Sequence, residues 1–229
     1  MLSEPRTIGL LAELIHIPVK HSFERLRDVY NQISTACGYE NFIRLANGAR
    51  LERGQGEEGQ SSTLTFLNDR LQMVEDSSVI SVEETGRKLT AALKVALPTL
   101  GIPIVLVQQY TVRALATPNS YKSASEFLGR SLFRIREEDV AVFDRPTNIF
   151  GLRLVFPPQK ALLHNFNVRI EAYARDPRSV YLENVGMWKT PLQLAQLDDV
   201  QRHLEMTSEF LTSNVHKFLS QYDRREVEP

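Results

Sequence analysis

The sequence predicts an α+β protein, with a mostly antiparallel sheet and amphipathic helices packed on one face. Three observations lead there. Segments with an apolar period of two are interspersed with segments of period near 3.6. Hairpin turn signals, Asn47-Gly48 and Asp176-Pro177, join neighbouring strands directly. The regular strand–helix–strand alternation that marks a parallel sheet, with its Gly-rich phosphate loop, is missing.

Taken in order, Thr7 to Ile17 reads as a strand dense in leucine and isoleucine, stopped by Pro18. Helical spacing follows in Phe23, Leu26, Val29, Tyr30, Ile33 and Cys37, with Ser22 as N-cap and Gly38 at the C-terminus. Phe42 to Leu45 and Ala49 to Arg53 form a hairpin about Ala46-Asn47-Gly48, where Asn-Gly tolerates positive φ. Gly54 to Ser62 carries three glycines and no large apolar residue, the composition of a mobile loop. Thr63 to Glu75 resumes a strand. Ser81-Val82-Glu83-Glu84 is a capping box opening a helix through Leu89, Leu93, Leu97 and Leu100, ended by Gly101. Pro98 predicts a kink or an early end.

Ile102 to Ala116 is a strand, and Ser123 to Glu126 opens a shorter helix through Phe127, Leu128 and Leu132. Val140 to Phe143, Ile149 to Phe156, Val168 to Ala174 and Ser179 to Trp188 read as four further strands. A last helix starts near Asp198-Asp199 and carries Val200, Leu204, Thr207, Leu211, Val215 and Phe218; the polar tail from Arg224 to Pro229 is expected to fray. The total is eight or nine strands and four helices.

Gly9 to Leu14 and Gly151 to Phe156 share an order of features: a strand ended by proline, then a lysine two residues on. A strand leading to a long amphipathic helix follows later in each half. This suggests an internal duplication, with halves 1–117 and 118–229, against the alternative of one continuous domain in which that order recurs by chance. Related halves would leave a groove between them as the natural binding site.

The composition excludes several classes. The chain has 229 residues, 42% hydrophobic and 24% charged; 27 Lys and Arg against 28 Asp and Glu leave a net charge of −1. An intrinsically disordered chain has neither that apolar content nor that balance. The length suffices to bury roughly 70–75% of the unfolded surface, so neither metal nor disulfide is needed for a core. Cys37 is the only cysteine, which excludes a disulfide scaffold and a cysteine-based zinc site. No apolar run approaches the roughly 20 residues of a spanning helix, and the first residues lack a secretory pattern. A reducing cytoplasm and no membrane are the expectation.

Chemistry is sparse. His16 and His21 flank Pro18 and read as a surface pair rather than a ligand pair. His203 and His216 stand about 220° apart around the final helix and cannot share a ligand, and His164 has no evident partner. Cys37, near a helix C-terminus, reads as a buried structural thiol with a raised pKa. Gly54-Gln55-Gly56-Glu57-Glu58-Gly59 matches a dinucleotide-loop pattern in letters only: a strand follows it, and its glutamates would repel phosphate. Glu83-Glu84 and Asp198-Asp199 are explained by helix N-termini. No catalytic residue, metal ligand or cofactor is assigned.

One feature points to binding. Strand alternation puts Phe150, Leu152, Leu154 and Phe156 on one face and Arg153 on the other; it puts Arg169, Glu171, Tyr173 and Arg175 opposite Val168, Ile170 and Ala172. Arg44 and Arg50 also read as outward. Such a face could receive a phosphate, an acidic peptide or a nucleic-acid strand; equally, Glu171 and Glu52 would pair those arginines in a solvated face. Trp188 ends a strand beside a loop and could anchor an interface or lid the core. The candidate binding residues are therefore Arg44, Arg153, Arg169, Tyr173 and Trp188. The expectation is a binding or assembly protein without catalytic activity, acting on a protein partner or by self-association as a homodimer. The alternatives are a nucleic-acid or anion binder using the arginine face, and a small-molecule binder or enzyme with a cavity between sheet and helices.

Overall fold

Strand and helix share the chain almost equally, and in the computed structural model the strands form one ten-stranded sheet. Residues 2–53, 60–77, 79–145, 147, 149–160 and 162–224 are described. The strands are β1 (Arg6–His16), β2 (Asn41–Leu45), β3 (Gly48–Glu52), β4 (Ser61–Leu67), β5 (Arg70–Asp76), β6 (Ile104–Ala116), β7 (Gly151–Phe156), β8 (His164–Ala172), β9 (Val180–Trp188) and β10 (Leu192–Gln193). Their order is β2-β3-β4-β5-β1-β6-β9-β8-β7, every pair antiparallel, with β10 added to the start of β6. The helices are α1 (Phe23–Cys37), α2 (Val82–Leu100), the short α3 (Ala124–Glu126), α4 (Glu137–Val140), α5 (Asp199–Glu209) and α6 (His216–Ser220). Wider π-helical turns continue α3 over Phe127–Leu132 and join α5 to α6 over Phe210–Val215. The fold is the α+β antiparallel architecture that the patterning predicts.

The helix ends fall where local chemistry puts them. The hydroxyls of Ser22, Ser81 and Ser123 accept from the backbone N–H three residues on, at Arg25, Glu84 and Glu126. Gly38 and Gly101 close α1 and α2 in the left-handed region, at φ 69° and 70°. Pro98 does not end α2 early: the helix runs on to Leu100.

Several expectations are corrected. The run 63–75 is two strands, β4 and β5, turning at Asn68-Asp69, and Ser61-Ser62 belong to β4 rather than to a loop. Residues 54–59, which carry the glycine pattern, and the tail beyond Arg224 lie outside the described residues. Val140 to Phe143 is helical: α4 passes into a 3₁₀ turn over Ala141–Phe143, and Asp139 caps the segment by accepting from the Arg136 backbone at 2.9 Å. The first hairpin turns on Ala46 and Asn47 without positive φ. Gly48 is needed for space instead, since a Cβ there would stand 1.8 Å from the Phe66 carbonyl oxygen. The strands equated in the duplication reading, β1 and β7, lie at the centre and at the edge of the sheet, so the sheet does not confirm that duplication.

The core lies between one sheet face and the helices. Leu10, Ala12 and Leu14 of β1, Val112 and Ala114 of β6, and Val168 and Ile170 of β8 meet Leu26 and Ile33 of α1, Leu89 and Leu93 of α2, and Val200 and Leu204 of α5. Among the described residues no helix is long and apolar enough to cross a membrane.

Candidate functional site

Residues directly opposite in antiparallel strands share a face, so the register assigns each candidate residue to one side of the sheet. One row runs Arg44–Ala49–Phe66–Leu71–Leu14–Gln108–Trp188–His164 on the helix side. Another runs Asp76–Gly9–Arg113–Glu183–Arg169–Arg153 on the open side. Arg153, Arg169 and, beyond the strand end, Tyr173 therefore belong to the open face. Arg44 does not: a two-residue turn places it opposite Ala49, on the face reverse to Arg50, with its guanidinium 5.0 Å above the Phe23 ring.

The open face is closely paired. Arg169 meets both oxygens of Glu171, at 2.8 and 2.5 Å. Arg113 donates to Glu183 at 3.0 Å, and Arg50 pairs with Glu52 at 2.7 Å. Arg153, directly across from Arg169, turns to the Asn167 amide oxygen at 2.8 Å. Tyr173 stacks on Tyr181, centroids 5.9 Å apart, and the Tyr181 hydroxyl donates to Glu183 at 2.7 Å. This is the solvated, self-neutralising face weighed above.

The helix side gathers a different set. Trp188 is 5% exposed and stacks against two imidazoles, His203 at 4.4 Å (17° between planes) and His164 at 5.0 Å (25°). Tyr110 meets the indole edge-on at 5.5 Å. The Gln108 amide oxygen accepts from the Tyr110 hydroxyl at 2.9 Å and from His203 Nδ1 at 3.0 Å. That pairing puts the His203 proton on Nδ1 and leaves Nε2 as an acceptor. Burial holds His203 neutral, its pKa pushed down to about 4 against the opposing pull of Asp199; burial also lowers His164.

Local sequence builds this cluster. Gly186 lets α5 approach β9, since a Cβ there would fall 2.4 Å from the Thr207 hydroxyl and 2.7 Å from the Trp188 ring. Asn184 donates to the Thr207 carbonyl at 2.9 Å. That side chain takes a carbonyl from the helical ladder just ahead of the π-turn 210–215, which is how a helix is opened locally. Two adjoining cavities share Leu162, His164 and Met206. One, about 300 Å³, is lined by Gln108, Trp188, His203, Asp199 and Arg202; the other, about 430 Å³, by Phe156, Phe166 and Phe210. Together they form a cleft between the β8–β9 ends and α5.

A larger cavity of about 660 Å³ lies beside α2, but its central polar groups satisfy one another: Lys88 reaches Ser62 at 2.6 Å and Glu75 at 2.8 Å. Cys37, at its wall, is buried, and burial raises its pKa in the direction expected of a structural thiol.

Of the five candidate binding residues, only Trp188 lies in the cleft. Gln108, Tyr110, His164 and His203 were missed as a group. The available signal was Gln108, a polar residue in phase with the buried Tyr110 and Val112 of β6. No protein-family model matches the chain, and no curated protein matches it.

Proposed function

We propose that this chain is a non-catalytic binding protein whose site is the cleft at Trp188, taking a compact, mostly aromatic or branched apolar ligand with one hydrogen-bonding edge. The observation that carries the reading is the stacking of a single indole against two imidazoles at the head of an apolar cleft. Binding clefts combine an apolar lining with a few fixed polar groups, and here Phe156, Phe166, Phe210 and Met206 supply the lining. The His203 acceptor nitrogen and the Arg202–Asp199 pair, 2.9 Å apart, supply the polar groups. The non-catalytic part rests on the partners of the imidazoles: aromatic faces and an amide, not a hydroxyl or thiol poised for attack. The single buried thiol suits a reducing, cytoplasmic setting.

Trp188 is the only tryptophan, so its fluorescence reports on the cleft alone. Titration with a panel of aromatic and branched-chain carboxylic acids and amides should give at least one saturable change, lost in His164→Ala with the far-ultraviolet dichroism preserved. A panel without any saturable response, or a response indifferent to His164→Ala, overturns the proposal.

Self-association is a second reading, favoured by one observation. Among the described residues, seven of the twelve exposed large hydrophobic side chains fall between Val142 and Leu163, around the edge strand β7. Ala172 N–H donates to the Phe150 carbonyl, so Gly151, Arg153 and Val155 turn their backbone groups outward. A second copy paired antiparallel about Leu154 would set Arg153 against Val155 and avoid an Arg–Arg contact. Sedimentation analysis should then show a dimer that Val155→Lys dissociates; a monomer at all accessible concentrations rules it out. The anion-binding alternative has less support, because the arginines of the open face are already matched by carboxylates and an amide.

A further inference from the structure

The cleft at Trp188 holds one atom whose hydrogen-bonding sense is fixed from behind. Tyr110 is fully buried, and among the described residues its hydroxyl has a single acceptor, the Gln108 amide oxygen, at 2.9 Å. That bond fixes which way the Gln108 amide points, since its NH₂ end cannot accept. His203 Nδ1 meets the same oxygen at 3.0 Å, so Nδ1 carries the ring proton. His203 Nε2 is left with a bare lone pair, and no described residue donates to it.

This lone pair is open. The imidazole nitrogens that are both sealed and unpartnered are those of His16 and His21, which the sequence placed on the surface; His16 is in fact 2% exposed. Neither nitrogen of His203 is sealed in that way, and its ring lines the cavity of about 300 Å³.

The surroundings do not reverse this polarity. Among the described residues, the charged side chains lining the two cavities are two carboxylates, Asp199 and Glu209, against one guanidinium, Arg202. Asp199 already holds Arg202 at 2.9 Å. Burial favours the neutral form of both His203 and His164, so at neutral pH neither ring supplies the positive charge that an anion would need. A carboxylate seated here would set lone pair against lone pair and lose its hydration. An N–H would complete the hydrogen bond that Nε2 lacks.

We infer that His203 Nε2 is the specificity-determining acceptor of the cleft, which therefore takes uncharged N–H donors of the primary-amide class in preference to esters or carboxylates of the same skeleton. This polarity rests on the reading of the cleft as the binding site and goes beyond it by fixing which partner must donate. Gln108 is the positioning residue: it sets the tautomer of His203 without lending that ring a charge.

The test uses the full chain and two matched sets: phenylacetamide, methyl phenylacetate and phenylacetate; and isovaleramide, methyl isovalerate and isovalerate. Within each set the skeleton is constant. The amide donates, the ester is neutral and cannot donate, and the carboxylate is charged and cannot donate. Titration calorimetry at neutral pH should rank an amide about tenfold or more ahead of both its analogues, the worth of one hydrogen bond to a group otherwise left unpaired. In His203→Phe the amide should lose about tenfold while its ester and carboxylate change far less, whereas damage to the pocket alone would weaken all three together. Gln108→Met is the second variant: it keeps the His203 ring but frees its tautomer, so the gap between amide and ester should narrow. An ester or carboxylate binding as tightly as its amide, or an amide preference that survives both variants, overturns the inference. Silence from all six compounds overturns it too. In either case a saturable response elsewhere in the wider panel keeps the cleft as the binding site, and silence there removes both.

Discussion

The two faces of the sheet solve the same problem, polar side chains in a tightly packed row, in opposite ways. On the open face Arg113, Glu183, Arg169 and Arg153 line up across four strands, with Arg113 paired to Glu183, Arg169 to Glu171 and Arg153 to the Asn167 amide oxygen in contacts screened by solvent. On the covered face Gln108, Trp188 and His164 occupy a comparable row, joined by His203, and the Gln108 amide oxygen is shared by the Tyr110 hydroxyl and His203 Nδ1. Exposed pairs contribute little each and can be exchanged; a buried network is sensitive to every member. The covered face is therefore where a single substitution should be felt.

Trp188→Ala should produce the largest effect. It removes a 5%-exposed indole contacted by four rings, and the expected cost is about 3–5 kcal/mol, read from the denaturant midpoint. Gly186→Ala tests the same packing from the other side. Its Cβ must push Thr207 or the indole away, an overpacking worth roughly 1–3 kcal/mol. A neutral Gly186→Ala would show that α5 yields easily and would weaken the case for a preformed cleft.

The acid limb of stability separates the faces more finely. His203 has a folded pKa of about 4 against an ordinary value of 6.5, so the unfolded chain binds the proton more readily. Its contribution is complete above about pH 6.5 and is lost as the pH falls toward 4, on the order of 2–3 kcal/mol. His203→Gln, which cannot titrate, should flatten the fall in melting temperature across that window. Arg169→Ala marks the small end of the scale: its partner Glu171 stays solvated, and the expected change is within about 1 kcal/mol at any pH. A larger loss would mean that the open row acts as a cooperative network.

The same contrast explains what could be read in the chain. Serine caps, terminal glycines and the period of β6 are local signals, and α1, α2 and β6 followed from them nearly to the residue. The β4–β5 hairpin escaped because Asn68-Asp69 interrupts the alternation without glycine or proline. Val140 and Val142 suggested a strand where the Arg136–Asp139 contact winds a helical turn. Arg44 was assigned to the wrong face because a two-residue turn reverses the parity of the count. The cleft was illegible for a deeper reason. His164, Gln108 and His203 come from three separate elements, and their meeting depends on the order in which strands pair.

That order has a consequence during synthesis. β1 and β6 are neighbours at the middle of the sheet, yet segment 17–103 separates them. At about 5–20 residues per second, a translating ribosome leaves the long apolar edge of β1 without its partner for roughly 4–17 s. The nascent N-terminal half therefore emerges with an adhesive seam, and a fragment ending before Ile104 should be recovered mainly as aggregate or chaperone complex.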